Sequence, residues 1–358
     1  MNQTTISQAS KREFSLDLLR VLACFLVIWQ HVTEVYYIGP DFTVPTHDEM
    51  PLIGWMNSMT PIEVPLFVMI SGYFLLPLKM DVGAFFKRRF TRIFIPFVVW
   101  CVAYSAYFML YRGDTLAQFL RNVAHIPVNL GVEIGHMWFI YMLLGLYMLV
   151  PIISPWLEQC TKRQLQGYLG VWAFTTLLPY IHLWFPEVWG ECFWNPTPML
   201  HYFTGFVGYF LLGYYIKRYG ALSVRNALLL LAGGYLFTVA VYQYRLDRVT
   251  SISDLEICWR FCSMNMMLMT YAMFSLVSRI KWQGNNAFGR WISSYAMLSY
   301  AVYFVHIMLI NFWRDLLSES LAHVYYQIPI ITLCSFLSSY AVVWILSKLP
   351  KAKVWLGS

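Results

Sequence analysis

The chain has 358 residues, of which 59% are hydrophobic and only 12% charged. Soluble domains carry roughly 25% charged residues, so this chain has too little charge to face water on all sides. The net charge of +7 does not mark a nucleic-acid partner, because the basic residues form short clusters between apolar runs, as membrane topology requires.

A helical span needs about 20 mostly apolar residues. Ten are predicted, near 15–37, 52–78, 90–111, 136–156, 165–184, 201–217, 226–244, 255–279, 291–313 and 328–347. The fold class is therefore all-α, a polytopic transmembrane bundle in contact with the lipid bilayer. The gaps are short and hold Gly, Pro or charge. No repeat or long linker divides the chain, so 1–358 reads as one transmembrane domain with cytoplasmic tails at 1–14 and 348–358. The first apolar run holds Arg20 and His31 and lacks a small-residue cleavage site, which argues against a removable signal peptide. If the spans alternate, every lysine, from Lys11 and Lys79 to Lys351 and Lys353, falls on one side. By the positive-inside rule that side is the cytoplasm, and both termini lie there. The seven cysteines are scattered through apolar segments and read as reduced packing residues. Cys258 and Cys262 are one helical turn apart, which is no zinc knuckle. No metal site is expected.

The first span, SLDLLRVLACFLVIWQHVTEVYY, holds groups that an anchor would not keep. Eleven steps of 100° bring His31 to within about 20° of Arg20 on the helix surface, about 16 Å further along the axis. Glu34 follows on the same stripe. Ionisable groups at membrane depth cost several kcal/mol and usually face a bundle interior or a wet cavity. The plainer alternative is an Asp17–Arg20 pair at the interface and a hydrogen-bonded core histidine, but it leaves the shared stripe unexplained. In the second span Glu63 enters near the outer side, and Ser71-Gly72 interrupts the apolar run, as close helix packing also would.

The loop FFKRRFTRIFIPF carries Arg88, Arg89 and Arg92. Arg89 and Arg92 share a helix face, and guanidinium forks match phosphate oxygens. They suit either a polyphosphorylated cytoplasmic ligand or lipid phosphates. Before the fourth span stand Glu133 and His136, three apart, with Trp138 beyond. The ninth span holds Tyr303 and His306.

These stretches together resemble the acyltransferase-3 family of integral membrane acyltransferases. Arg20 and His31, with ten residues between them, match its R-x10-H feature. PLFVMISGYFLL matches its second-span pattern, RRFTRIFIP its R-x-x-R loop and HMWFIYMLLGLYMLVPII its His-x-Trp-Phe segment. SYAVYFVHIMLI resembles its late Tyr/His span. The resemblance covers nearly the whole chain. It implies transfer of an acyl group, usually acetyl, from cytoplasmic acyl-coenzyme A to a hydroxyl of a carbohydrate or lipid-linked glycan. Length and pattern are similar to bacterial cytoplasmic-membrane proteins that O-acetylate surface polysaccharide precursors.

On that basis Arg20, Arg88, Arg89 and Arg92 are expected to hold the phosphates of coenzyme A. His31 is the expected general base, since imidazole titrates near working pH, and Glu34 would orient it. Direct acylation of His31 is an alternative route. Ser71, Trp138 and Tyr303 are candidate oxyanion donors. Glu63, Glu133, His136 and His306 complete the expected substrate site. A glycan or lipid-intermediate flippase is the rival class, since it too needs buried polar residues. A sensor or scaffold without chemistry would leave the Arg20–His31 register unexplained.

Overall fold

The computed structural model describes residues 13–128, 134–188, 190–192, 195–282 and 284–357. Glu133 lies outside them. The first span is one unbroken helix, α1 (Phe14–Tyr37). The second is broken: α2 (Met50–Asn57) ends in a turn of 3-10 helix at Thr60–Ile62 before α3 (Glu63–Leu75) begins. Pro61 has no amide hydrogen to continue a helix, and Thr60 bonds back to the Asn57 carbonyl at 2.9 Å. Ser71-Gly72, which interrupts the apolar run, lies within regular helix.

Next come α4 (Val82–Tyr111), capped by Asp81, and α5 (Leu116–His125), opened by a Thr115–Gln118 capping box. Then follow α6 (Trp138–Gln159), α7 (Lys162–Thr175) and α8 (Leu178–Trp184). The strands β1 (Gly190–Cys192) and β2 (Asn195–Pro198) pair antiparallel. They precede α9 (Val207–Tyr219) and α10 (Val224–Leu246). A second broken span joins α11 (Ile252–Leu255) through a 3-10 turn at Glu256–Trp259 to α12 (Met264–Ser278). The chain closes with α13 (Ala287–Leu317), α14 (Val324–Leu346) and α15 (Ala352–Leu356).

Among the described residues, eight helical stretches are long and apolar enough to cross a membrane. Two of the ten expected spans fold otherwise. The stretch 165–184 is divided between α7 and α8, and α9 has 13 residues, which rise about 20 Å. Pro179 within the first turn of α8 accounts for the division of the former.

Helix α1 packs against α2, α3, α12, α13 and α14, which places it inside the bundle. The tightest crossing is α3 on α9. A Cβ on Gly72 would strike the Phe210 carbonyl, and one on Gly213 the Met69 carbonyl. Small residues thus let two backbones touch, as in other membrane helix pairs. The two ends of the bundle differ. At one end Glu13 accepts from the Tyr73 hydroxyl (2.9 Å), Lys79 meets Glu158 (2.8 Å) and Arg218 donates to the Leu157 carbonyl (2.8 Å). At the other, Tyr111 donates to Asp315 (2.7 Å) and Glu49 accepts from the Val324 amide (3.2 Å). Lys79 and Glu49 thus lie at opposite ends, while Glu13 and Glu158 share the end of Lys79.

Candidate active site

Position 31 lies in the last third of α1, and its ring is fixed by its own helix. His31 Nδ1 stands 2.7 Å from Glu34 Oε2, one turn on. A carboxylate only accepts, so Nδ1 carries the proton and Nε2 is left for chemistry. Two further histidines converge on it. The ring centroid of His306 (α13) lies 5.3 Å from that of His31, and that of His136, just before α6, lies 6.3 Å away. His136 and His306 are 5.2 Å apart. Residues from three separate spans thus form one cluster.

Its neighbours hold it in place. His306 is fully buried, and its Nδ1 stands 2.6 Å from the Tyr303 carbonyl. That contact again fixes the proton on Nδ1. The Tyr303 hydroxyl donates to the His136 carbonyl. The Nε2 atoms of His136 and His306 are buried with no hydrogen-bond partner among the described residues.

Two cavities share the wall made by His31, Glu34, His136 and Trp138. The larger, of 380 Å³, is also lined by Gln30, Tyr37, Glu63, Glu256, Arg260 and Tyr303, with Phe67, Phe139, Trp259 and Phe261 as its apolar surface. The smaller, of 320 Å³, runs past Tyr104, Phe108 and Ile307 to Arg112. The two broken spans create the larger cavity. Where α2 gives way to α3, Glu63 becomes the first residue of a helix, 2% exposed. Where α11 gives way to α12, Glu256 is presented, and it accepts from the Tyr37 hydroxyl at 2.7 Å. The breaks touch, since the Trp259 indole donates to Ser58 Oγ at 3.3 Å.

The arginines gather at the lysine-bearing end. Arg20 pairs with Asp17 at 3.1 Å and lies over the Phe74 ring at 5.0 Å. Arg89 lies 6.0 Å from the centre of the Tyr147 ring, and its Nε is buried without a hydrogen-bond partner among the described residues. Arg92 is exposed and donates through Nε to the Gly357 carbonyl at 2.9 Å. Arg88 is exposed on the same helix. The Tyr147 hydroxyl, beside Ser71, is within electrostatic reach of Arg20, Arg89 and Arg92. A model of the acyltransferase-3 family, described as an acyltransferase domain, matches residues 13–348. The chain belongs to the acyltransferase-3 family. Comparison with curated proteins and with solved structures returns no match.

Within this membrane acyltransferase fold, the residues expected at the site separate into two groups. His31, Glu34, Glu63, His136, Trp138 and Tyr303 line the larger cavity, and His306 packs against its histidines. Ser71 does not line it. It belongs with Arg20, Arg89 and Arg92 around Tyr147. Glu256, Arg260, Gln30 and Tyr147 were not expected. Glu256 and Arg260 carry a signal, an acid and a base one turn apart at the head of an apolar run. Tyr147 carries none, since one tyrosine in an aromatic-rich span reads as packing.

Proposed function

We propose that the protein moves an acyl group, acetyl in the simplest case, from cytoplasmic acyl-coenzyme A to a hydroxyl of a cell-surface or lipid-linked glycan. The observation that carries this reading is the His31–Glu34 pair, held at 2.7 Å where two cavities meet. The lysine-bearing end is assigned to the cytoplasm by the positive-inside rule. There Arg20, Arg88, Arg89 and Arg92 hold the coenzyme A phosphates, and α1 supplies the wall along which the pantetheine arm rises to His31.

The chemistry follows from the ring's orientation. His31 Nε2 takes the proton from the acceptor hydroxyl as its oxygen bonds the thioester carbon. The carbon–sulfur bond then breaks, and the coenzyme A thiolate leaves and recovers the proton from the imidazolium. Glu34 stabilises that imidazolium and keeps the ring in register. Of the three candidate oxyanion donors, Tyr303 is committed to the His136 carbonyl and Ser71 stands among the arginines. Trp138, whose side chain borders both cavities, is the donor we assign. Glu63 and His136 face the acceptor.

The decisive assay supplies radiolabelled acetyl-coenzyme A to membranes containing the protein and follows label into glycan. His31→Ala, with expression and folding checked, abolishes labelling. Wild-type transfer by that variant would sink the proposal. One observation favours a second reading: the paired broken helices around the larger cavity are a feature of transporters. A flippase would move an unmodified glycan and leave it unlabelled.

A further inference from the structure

We infer that the larger cavity receives an acceptor sugar bearing a protonated amine beside the reacting hydroxyl. The inference rests on the acyl-transfer reading for the identity of the cavity and names its acceptor class.

Among the described residues, the side chains of three glutamates line this one space: Glu34, Glu63 and Glu256. Glu34 lies within electrostatic reach of both others. Against them the described lining offers one permanent cation, Arg260, whose guanidinium donates to the Ser253 carbonyl at 3.2 Å. Glu34 is bound to His31, and Glu256 is met by the neutral Tyr37 hydroxyl. Glu63 is different. It is 2% exposed, and its Oε2 has no hydrogen-bond partner among the described residues. A buried carboxylate oxygen without a donor is among the costliest groups a fold can keep. Its position at the N-terminus of α3 eases that cost through the helix dipole. It does not supply a donor at Oε2.

A separate observation points to a ligand in the same space. His136 is 8% exposed, lines the cavity, and has no partner for its Nε2 among the described residues. A carboxylate and an imidazole nitrogen, both unsatisfied, suit a ligand that brings a charged N–H donor and a neighbouring hydroxyl. The walls agree. Trp138, Trp259, Phe67 and Phe261 surround the carboxylates, and aromatic faces attract ammonium groups. A uronic acid or other anionic sugar would set its own carboxylate against these carboxyl groups with no added donor for Glu63. A protonated amine cannot act as nucleophile, so the transferred acyl group goes to oxygen.

The test uses the purified full-length protein in detergent, with glucosamine, glucose and glucuronic acid as probes at mildly acidic pH, where the amine is charged. Binding is read by calorimetry. Glucosamine should bind on the order of tenfold more tightly than glucose, and glucuronic acid most weakly. Glu63→Gln and Glu256→Gln should each shrink the preference for glucosamine over glucose, whereas Glu63→Asp should keep it. Glu256→Gln, in a less buried position, serves if Glu63→Gln fails to fold. Equal binding of the three sugars, binding of none, or an unchanged preference in both glutamine variants would overturn the inference. Labelled transfer by the same wild-type preparation is assayed in parallel. His31-dependent transfer without an amine preference removes this inference and leaves acyl transfer standing, and absent transfer removes the broader reading.

Discussion

At position 31 the side chain is useful because of what holds its far nitrogen. With Nδ1 bound to Glu34 at 2.7 Å, a Gln at position 34 can present an amide of either sense to the ring and loses the charge that supports imidazolium. Glu34→Gln should therefore lower kcat with little change in the Michaelis constant for acyl-coenzyme A. His31→Ala should cost on the order of a hundredfold or more. Steady-state assays on folded variants check both, and an unaltered kcat in Glu34→Gln would exclude an orienting role. The sequence carried this pair plainly, since three residues on one helix put them on one face. It carried the meeting of His31, His136 and His306 less well. Each histidine was visible in its own span, but their convergence depends on which helices pack on α1, and no periodicity encodes that. Glu256 was missed for a related reason: its place in the cavity comes from a break between α11 and α12, and Arg260 at i+4 reads equally as a solvated pair.

Helices α3 and α9 test the packing argument. Gly72 lies against the Phe210 carbonyl, a neighbour that cannot move aside, whereas a Cβ on Gly145 of α6 would meet nothing within 4 Å. Gly72→Ala should lose about 1–3 kcal/mol through overpacking, and Gly145→Ala should be neutral or slightly stabilising. Thermal unfolding in detergent distinguishes the two, and equal melting temperatures would count against the close crossing. Ser71-Gly72 was legible as a packing motif, but the position of the break in that span was not. Apolar stretches lie close on both sides of the short, uncharged segment Ser58–Ile62, so hydropathy sees one span where Pro61 and the Thr60 side-chain bond make two segments. Helix α9 illustrates the limit from the other direction. Its Gly, Tyr and Phe content reads as a span, yet the helix has 13 residues.

For the bundle as a whole, the separation of charge between its ends gives a topological prediction. Single cysteines placed at Lys87 and at Asp48, in a background without the native seven, should label from opposite sides of a sealed vesicle. Labelling of both from one side would break the assigned orientation. The same separation puts the arginine cluster and the histidine cluster at different depths. Their loss should then be felt by different kinetic constants. Arg89→Ala and Arg92→Ala should raise the Michaelis constant for acyl-coenzyme A several-fold while kcat changes less, and a change confined to stability would favour lipid anchoring. Composition and hydropathy carry the all-α membrane architecture, though not the number of full-length spans. One contact has a practical result. The short segment after α14 returns under the bundle, buries Ala352 and Leu356, and ends with Gly357 at φ +71° beneath the Tyr300 ring, its carbonyl on Arg92. Any purification tag or fluorescent fusion joined directly to this segment would tug on Arg92, which the proposed function places at the donor phosphates, so a preparation that looks inactive with a handle there should be remade with the handle elsewhere before its residues are blamed.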